Sequence, residues 1–380
     1  LVEWLQQRFE LARGGSTHNV RPMEGLRGFA VLLVFFVHYV DQIKQWLPQE
    51  GFAAAVASAM EHIGHSGVDL FFALSGYLIY GSLLSRAQPF LPYIARRIQR
   101  IYPVFTAVFV LYIGLSLLFP DENKIPSPVS AGAIYLMQNY LLLPGLLPIR
   151  PMISVAWSLS YEMFYYLAAP VLLAALGLRR RSSSWRVAAF IAIGVGLAAA
   201  TAVLGGPARL IMFVCGIVLF EAIQHSRLTA SSLAGVIALI AGLACMLLPI
   251  ADPAGLTVKT VILSVAFFVV CLACFGTPQA TLPRAFSWLP LRWLGNMSYS
   301  YYLAHGLALK GAFLALSTIM PPGGDQPAMF WLLLPPMLAV TLLASAPLFL
   351  WVERPFSLAP RRKRGAAKLP HAASASESGS

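Results

Sequence analysis

Charge is what this chain has least of. Only 11% of its 380 residues are Asp, Glu, Lys or Arg, and 15 acids face 27 bases. Soluble domains carry about 25% charged residues, so a water-exposed globular fold is excluded. Cysteine is scarce too: Cys215, Cys245, Cys271 and Cys274 all lie in apolar stretches, where a thiol behaves as a small hydrophobe. Cys271 and Cys274 make a C-x-x-C, but with no second pair, no neighbouring His and no βαβ context it argues against a metal or redox centre. No stripe of Lys and Arg alternates with aromatics along a soluble face, so the basic excess is not a nucleic-acid footprint. No fixed-period repeat is visible, and no soluble second domain of useful size is expected within these residues.

What the chain has is apolar length: 58% of residues are hydrophobic and the mean hydropathy is +0.72. A run of about 20 apolar residues crosses ~30 Å of hydrocarbon. Such runs fall near 27–47, 67–85, 99–119, 154–178, 186–204, 208–224, 229–250, 257–276, 297–319 and 329–352. The expected fold is all-α and polytopic, with ten transmembrane helices. An eleventh apolar stretch, AGAIYLMQNYLLLPGLLP at 131–148, competes.

Basic loops arbitrate, because cytoplasmic loops collect Lys and Arg. With the amino terminus inside, one side gathers Arg8, Arg13 and Arg21, then Arg86, Arg96, Arg97 and Arg100, then Arg179–Arg181 with Arg186, and later Arg227, Arg284, Arg292 and 361–364. The other side holds little beyond Lys44, Lys124, Arg150, Arg209 and Lys259. Counting 131–148 as a span inverts this order. That stretch is therefore expected to be re-entrant or interfacial, broken by Asn139, Pro144, Gly145 and Pro148, with both termini cytoplasmic in a plasma membrane of the bacterial inner-membrane type. Irregular backbone at that depth needs cover from protein or a wet cavity. Residues 1–20 lack a signal-peptide core and read as a short amphipathic cytoplasmic segment. Residues 21–356 form the membrane domain, and 357–380 a basic, then low-complexity tail expected to be disordered.

The polar residues inside these runs carry the chemistry. Arg27 and His38 bracket the first span as RGFAVLLVFFVH. Eleven steps of 100° return to within about 20° of one face, ~16 Å apart along the axis. Arg27 alone reads as a flanking charge at the cytoplasmic mouth. His38, near mid-membrane, is a functional hypothesis by default, its imidazole suited to proton transfer or nucleophilic work. Asp41 either orients that imidazole or is a solvated charge at the outer end. A ligand with an anionic head and a reactive group some 16 Å deeper fits both residues, and an acyl-coenzyme A has that shape.

At this point the sequence resembles a known family. RPMEGLRGFAVLLVFFVH, SGVDLFFALSGYLI at 66–79, ARRIQRIYPVF at 95–105, WSLSYEMFYYLAAPVL at 157–172, LGNMSYSYYLAH at 294–305 and WVERPF at 351–356 follow the order and spacing of the membrane-bound acyltransferase 3 family. The resemblance implies acyl transfer, most often of acetyl, from cytoplasmic acyl-CoA to a hydroxyl of a carbohydrate, lipid-linked glycan or natural product. No metal is implied. His38 is then the expected catalytic group, as general base or as transient acyl carrier, with Arg27 in the same motif. Arg97 and Arg100, three apart on one helical face, are expected to fork onto the coenzyme's phosphates.

Glu162 is costly in lipid and is expected to face the cavity, pairing with His38 or an arginine or binding acceptor hydroxyls, the alternative being a solvated interfacial carboxylate. Tyr161 departs from many members and bears on acceptor preference. Asp69 and Ser75 belong to a family signature. His305 closes the S-Y-x-x-Y-L-x-H pattern begun at Ser298, as a structural hydrogen bond or as chemistry. Glu353 and Arg354 are expected to pair at a helix end. His62 and His65 carry no metal-like partner set. Family members often append an extracytoplasmic hydrolase-like domain; the expectation here is of an enzyme without one, which finishes alone or hands the acyl group to a separate partner. The rival reading is a proton-coupled transporter or flippase with His38, Asp41 and Glu162 as relay, although no inverted repeat and no matched pair of broken helices is visible.

Overall fold

The computed structural model describes residues 2–11, 17–226, 228–276 and 279–358. Arg227 and the tail from 359 onward, including the basic cluster at 361–364, lie outside the described residues. Fifteen α-helices follow one another among them: α1 (Val2–Phe9), α2 (Thr17–Ile43), α3 (Phe52–Gly64), α4 (Ser66–Ser85), α5 (Phe90–Leu118), α6 (Val129–Tyr140), α7 (Trp157–Ala175), α8 (Ser183–Leu204), α9 (Ile211–His225), α10 (Ser232–Cys245), α11 (Pro253–Gly276), α12 (Thr281–Phe286), α13 (Leu289–Asn296), α14 (Ser298–Ile319) and α15 (Pro327–Leu348). α15 runs on into a π-helical segment, Phe349–Ser357. No strand forms among the described residues.

Every expected span is helical, yet the ten are not equal. Eight stretches are long and apolar enough to cross a membrane: Arg21–Ile43, Phe52–Ser85, Phe90–Leu118, Ser183–Leu204, Ala208–His225, Pro253–Gly276, Ser298–Ile319 and Pro327–Ser357. The other two fall short for different reasons. α10 has only 14 residues; α7 is 19 long but opens with the polar run Trp157–Glu162. The chain is a multi-pass helical membrane protein.

The 131–148 stretch forms the 12-residue α6, far short of a span, followed by irregular backbone in which Leu142 and Gly145 take positive φ of 57° and 94°. Asn139, expected to break this segment, is instead its stitch. It lies inside the last turn of α6, where its buried amide donates to the carbonyls of Tyr135 and Arg150, and its oxygen accepts from the Met152 backbone N–H at 2.7 Å. An Asn side chain carries both donor and acceptor, so one residue satisfies backbone groups on both sides of the loop.

α2 is the hub, packing on α3, α4, α13 and α14. Hydrophobic driving force is weak between helices in lipid, so close approach at small residues does the joining. A Cβ on Gly28 would lie 2.0 Å from the Leu291 carbonyl oxygen of α13, and one on Gly216 2.0 Å from the Ala73 carbonyl of α4. Outward faces are apolar, as at Ile191 and Val195 of α8 and Leu332 and Leu343 of α15. Gly28→Ala is expected to destabilise the bundle by about 1–3 kcal/mol, measured as a lower melting point in detergent. Gly114→Ala on α5, where the added methyl meets open space, is expected to leave it unchanged.

Candidate functional site

α2 carries Arg27 and His38 on one uninterrupted helix, and both turn toward α14. The Arg27 guanidinium donates to Ser298 Oγ at 2.9 and 3.3 Å. The His38 ring meets the His305 ring edge to face, centroids 5.0 Å apart. Contacts 27–298 and 38–305 rise together along both helices, so α2 and α14 run parallel here. Eleven residues on α2 advance ~16 Å while seven on α14 advance ~10 Å; the length of the arginine side chain takes up the difference.

Arg27 forms part of the wall of a cavity of about 170 Å³ between α2, α4, α5, α7 and α14. Arg97, Arg100, Glu162, Ser75, Tyr166, Ser298 and Tyr302 face it as well. That volume is below the ~300–1,000 Å³ of pockets that enclose a drug-sized ligand, so the cavity suits a slender chain or a single charged group.

The two α5 arginines lie inside the helix rather than at its start. The third span is expected from 99, but α5 starts at Phe90, directly after Pro89, which places Arg97 about two turns into the helix. The Arg97 guanidinium lies between the faces of Tyr93 and Tyr166, 5.2 and 5.3 Å from their centroids. It reaches Ser82 Oγ at 3.4 Å, and its Nε is buried with no hydrogen-bond partner among the described residues. Arg100 is held differently. Its Nη1 donates to Glu353 Oε1 at 2.7 Å and its guanidinium rests over the Tyr299 ring.

Glu353 is fully buried, its other oxygen accepting from the backbone N–H and hydroxyl of Ser300. The expected Glu353–Arg354 pair is therefore corrected. The π-helical turn shifts the phase of the residues after Phe349, so Glu353 points to Arg100 while Arg354 reaches the Gln7 carbonyl.

Glu162 accepts from Ser75 Oγ at 3.3 Å and from the Tyr166 hydroxyl at 2.5 Å. It belongs to the arginine cavity, with Tyr166 joining the two charges: the hydroxyl bonds Glu162 and the ring carries Arg97. Asp41 lies 3.9 Å from His38 Nδ1, beyond hydrogen-bond reach, and is bound at 3.1 Å by Lys44. Asp69 is buried against Arg209 at 3.7 Å, and Arg209 in turn covers the Trp157 ring. Tyr161 packs between Phe72 and Trp157. Neither Asp69 nor Tyr161 faces the arginine cavity. His305 is fully buried, with Nδ1 2.9 Å from the Tyr301 carbonyl.

Sequence reasoning missed Tyr166, Tyr299, Tyr302 and Ser158. Tyr302 and Ser158 close the cavity with a 2.7 Å hydroxyl pair. The signal for Tyr166 was present, since it lies four residues after Glu162 and so one turn above it. No cluster of three or more His, Cys, Asp or Glu side chains placed to hold a metal occurs among the described residues.

A helical membrane protein whose α2 carries an arginine into a cation-lined cavity and an imidazole three turns further along is the class this site defines. The family model described as "Acyltransferase domain" matches residues 22–350. The chain belongs to the acyltransferase 3 family. It is 25% identical over 331 residues to the peptidoglycan O-acetyltransferase OatA of Listeria monocytogenes, covering 76% of this chain and 49% of that protein. It is 26% identical over 377 residues to YrhL of Bacillus subtilis, covering 89% and 55%. It is also 28% identical over 170 residues to the O-acetyltransferase OatA of Staphylococcus aureus, covering 42% and 25%. The chain thus spans about half or less of the length of these relatives. No solved structure matches it.

Proposed function

We propose that this protein is an O-acyltransferase that moves an acyl group, acetyl above all, from a cytoplasmic acyl-CoA to a hydroxyl of a glycan. The reading takes ten spans, cytoplasmic termini and 131–148 as a re-entrant segment in a bacterial inner membrane. The observation that carries it is the shared helix: Arg27 at the wall of the arginine cavity and His38 three turns along α2, on the same α14-facing side. Relatives named as O-acetyltransferases, one of peptidoglycan, support a glycan acceptor.

The residues fit an anionic donor. Arg97 keeps a buried, unpartnered Nε beside the cavity, a donor whose cost is recovered when it meets an anion. Arg100 is already neutralised by Glu353, so Arg97 bears more of the phosphate charge than Arg100 does. When bound, acyl-CoA supplies the activated acyl carbonyl. His38 takes the proton of the acceptor hydroxyl as its oxygen attacks, then returns a proton to the departing thiol. Glu162, held by Ser75 and Tyr166, sets the orientation of the cavity wall. A separate extracytoplasmic protein that carries the acyl group onward is compatible with this scheme.

The test is acyl transfer, or release of free coenzyme thiol, by the purified protein in detergent. Arg97→Ala is expected to raise the acyl-CoA KM by about 10- to 100-fold, the worth of one hydrogen bond to a charged group, with kcat little changed. An unaltered KM overturns the assignment of Arg97, and absence of any turnover in the wild type overturns the acyltransferase reading in favour of a proton relay.

A further inference from the structure

We propose that His305 is a positioning residue for His38: its buried, unsatisfied Nε2 is the acceptor that a His38 N–H takes up as His38 turns to the acceptor hydroxyl, and so fixes which His38 nitrogen meets that hydroxyl. The proposal rests on the reading of His38 as the base. A carbonyl oxygen only accepts hydrogen bonds. The contact at 2.9 Å between His305 Nδ1 and the Tyr301 carbonyl therefore places the ring proton on Nδ1 and leaves Nε2 as a bare lone pair. That lone pair is fully buried, and no described residue satisfies it. Buried acceptors are nearly always paired, so an orphan calls for a use.

Three surroundings direct it. The Tyr301 ring stacks on His305 with an interplanar angle of 6° and the Tyr302 ring lies 6.1 Å away, which holds the imidazole in one orientation. The neighbour that carries an N–H is His38, edge to face at 5.0 Å between centroids. Asp41, the other candidate to orient His38, is at 3.9 Å and engaged by Lys44. His305 has no exposed surface, so it acts on the reaction through His38 and not by touching a substrate. Once His38 has taken the hydroxyl proton it is an imidazolium with two donors, one free for the leaving thiol and one accepted by His305 Nε2. An acceptor aimed at a charge that develops only during reaction is fully effective because it needs no reorganisation.

The experiment uses the full-length protein in detergent, with kcat and KM for acyl-CoA measured in His305→Asn, His305→Gln and His38→Ala, and melting followed in each. Asn preserves a donor near the Nδ1 position, and with it the Tyr301 bond, but has nothing at Nε2. Gln carries its amide oxygen to the Nε2 position. The expected result is a 10- to 100-fold lower kcat in His305→Asn with unchanged KM and unchanged melting, and recovery to within tenfold of wild type in His305→Gln. Wild-type kcat in a folded Asn variant overturns the proposal. So does a Gln variant as inactive as His38→Ala, which also decides the matter if the Asn variant does not fold. The parent reading fails separately, by transfer that survives in His38→Ala.

Discussion

His38→Ala is expected to lower acyl transfer by about 10²- to 10⁴-fold, the usual contribution of one general acid–base group, while the protein still folds. The imidazole is partly exposed and forms no close ion pair or hydrogen bond that the fold depends on; its neighbour Asp41 keeps Lys44. Truncation therefore leaves no buried charge uncompensated. The protein carries its own reporter of folding, since Cys245, Cys271 and Cys274 are buried and all cysteines are free. A thiol-reactive dye added during heating reads their exposure. A melting point within a few degrees of wild type with transfer gone is the expected pair of results. Transfer retained at wild-type rate overturns His38 as the base, and loss of both folding and transfer is resolved by His38→Gln, which keeps the volume and a polar edge without the basicity.

Glu221→Ala is expected to cost about 3–5 kcal/mol, the penalty for stranding one member of a buried ion pair. Glu221 of α9 is buried beneath α4 and α8, where Arg186 forks onto both of its oxygens at 2.6 and 2.8 Å. The Tyr80 hydroxyl adds 2.6 Å and Ser183 Oγ 2.7 Å. Removing the carboxylate strips the buried guanidinium of the counter-ion that both Nε and Nη2 bind, leaving it the Arg181 and Leu178 carbonyls at Nη1, and takes the same acceptor from two hydroxyls. Replacing both charges, as in Arg186→Met with Glu221→Leu, is expected to be far milder, because the desolvation cost disappears with the pair. Dye-monitored melting distinguishes them; a single variant within 1 kcal/mol of wild type overturns the role given to this network.

The reach of the sequence is clearest where one helix is enough. The phase of Arg27 and His38, the apolar runs and the non-spanning 131–148 stretch are properties of local period and length, and all three were legible. Partner choice across helices was not. Arg186 read as one more topological cation, because nothing within ten residues announces Glu221. Arg97 and Arg100 read as a surface pair, because polarity argued for starting the helix at 99, whereas Pro89 starts it at Phe90. Glu353 read as the partner of its neighbour Arg354, because a π-helical phase shift leaves no periodic trace in nine residues. Glu162 lines the cavity that holds the arginines, and only packing could separate that cavity from His38.

Arg100 and its counter-ion Glu353 are 253 positions apart. During synthesis the arginine enters the membrane on α5 long before the carboxylate that neutralises it exists. Until the segment after α15 is made, Arg100 has no Glu353 to pair with. The ion pair therefore closes only after the segment that follows α15 has been made, and it ties α5 to residues far along the chain.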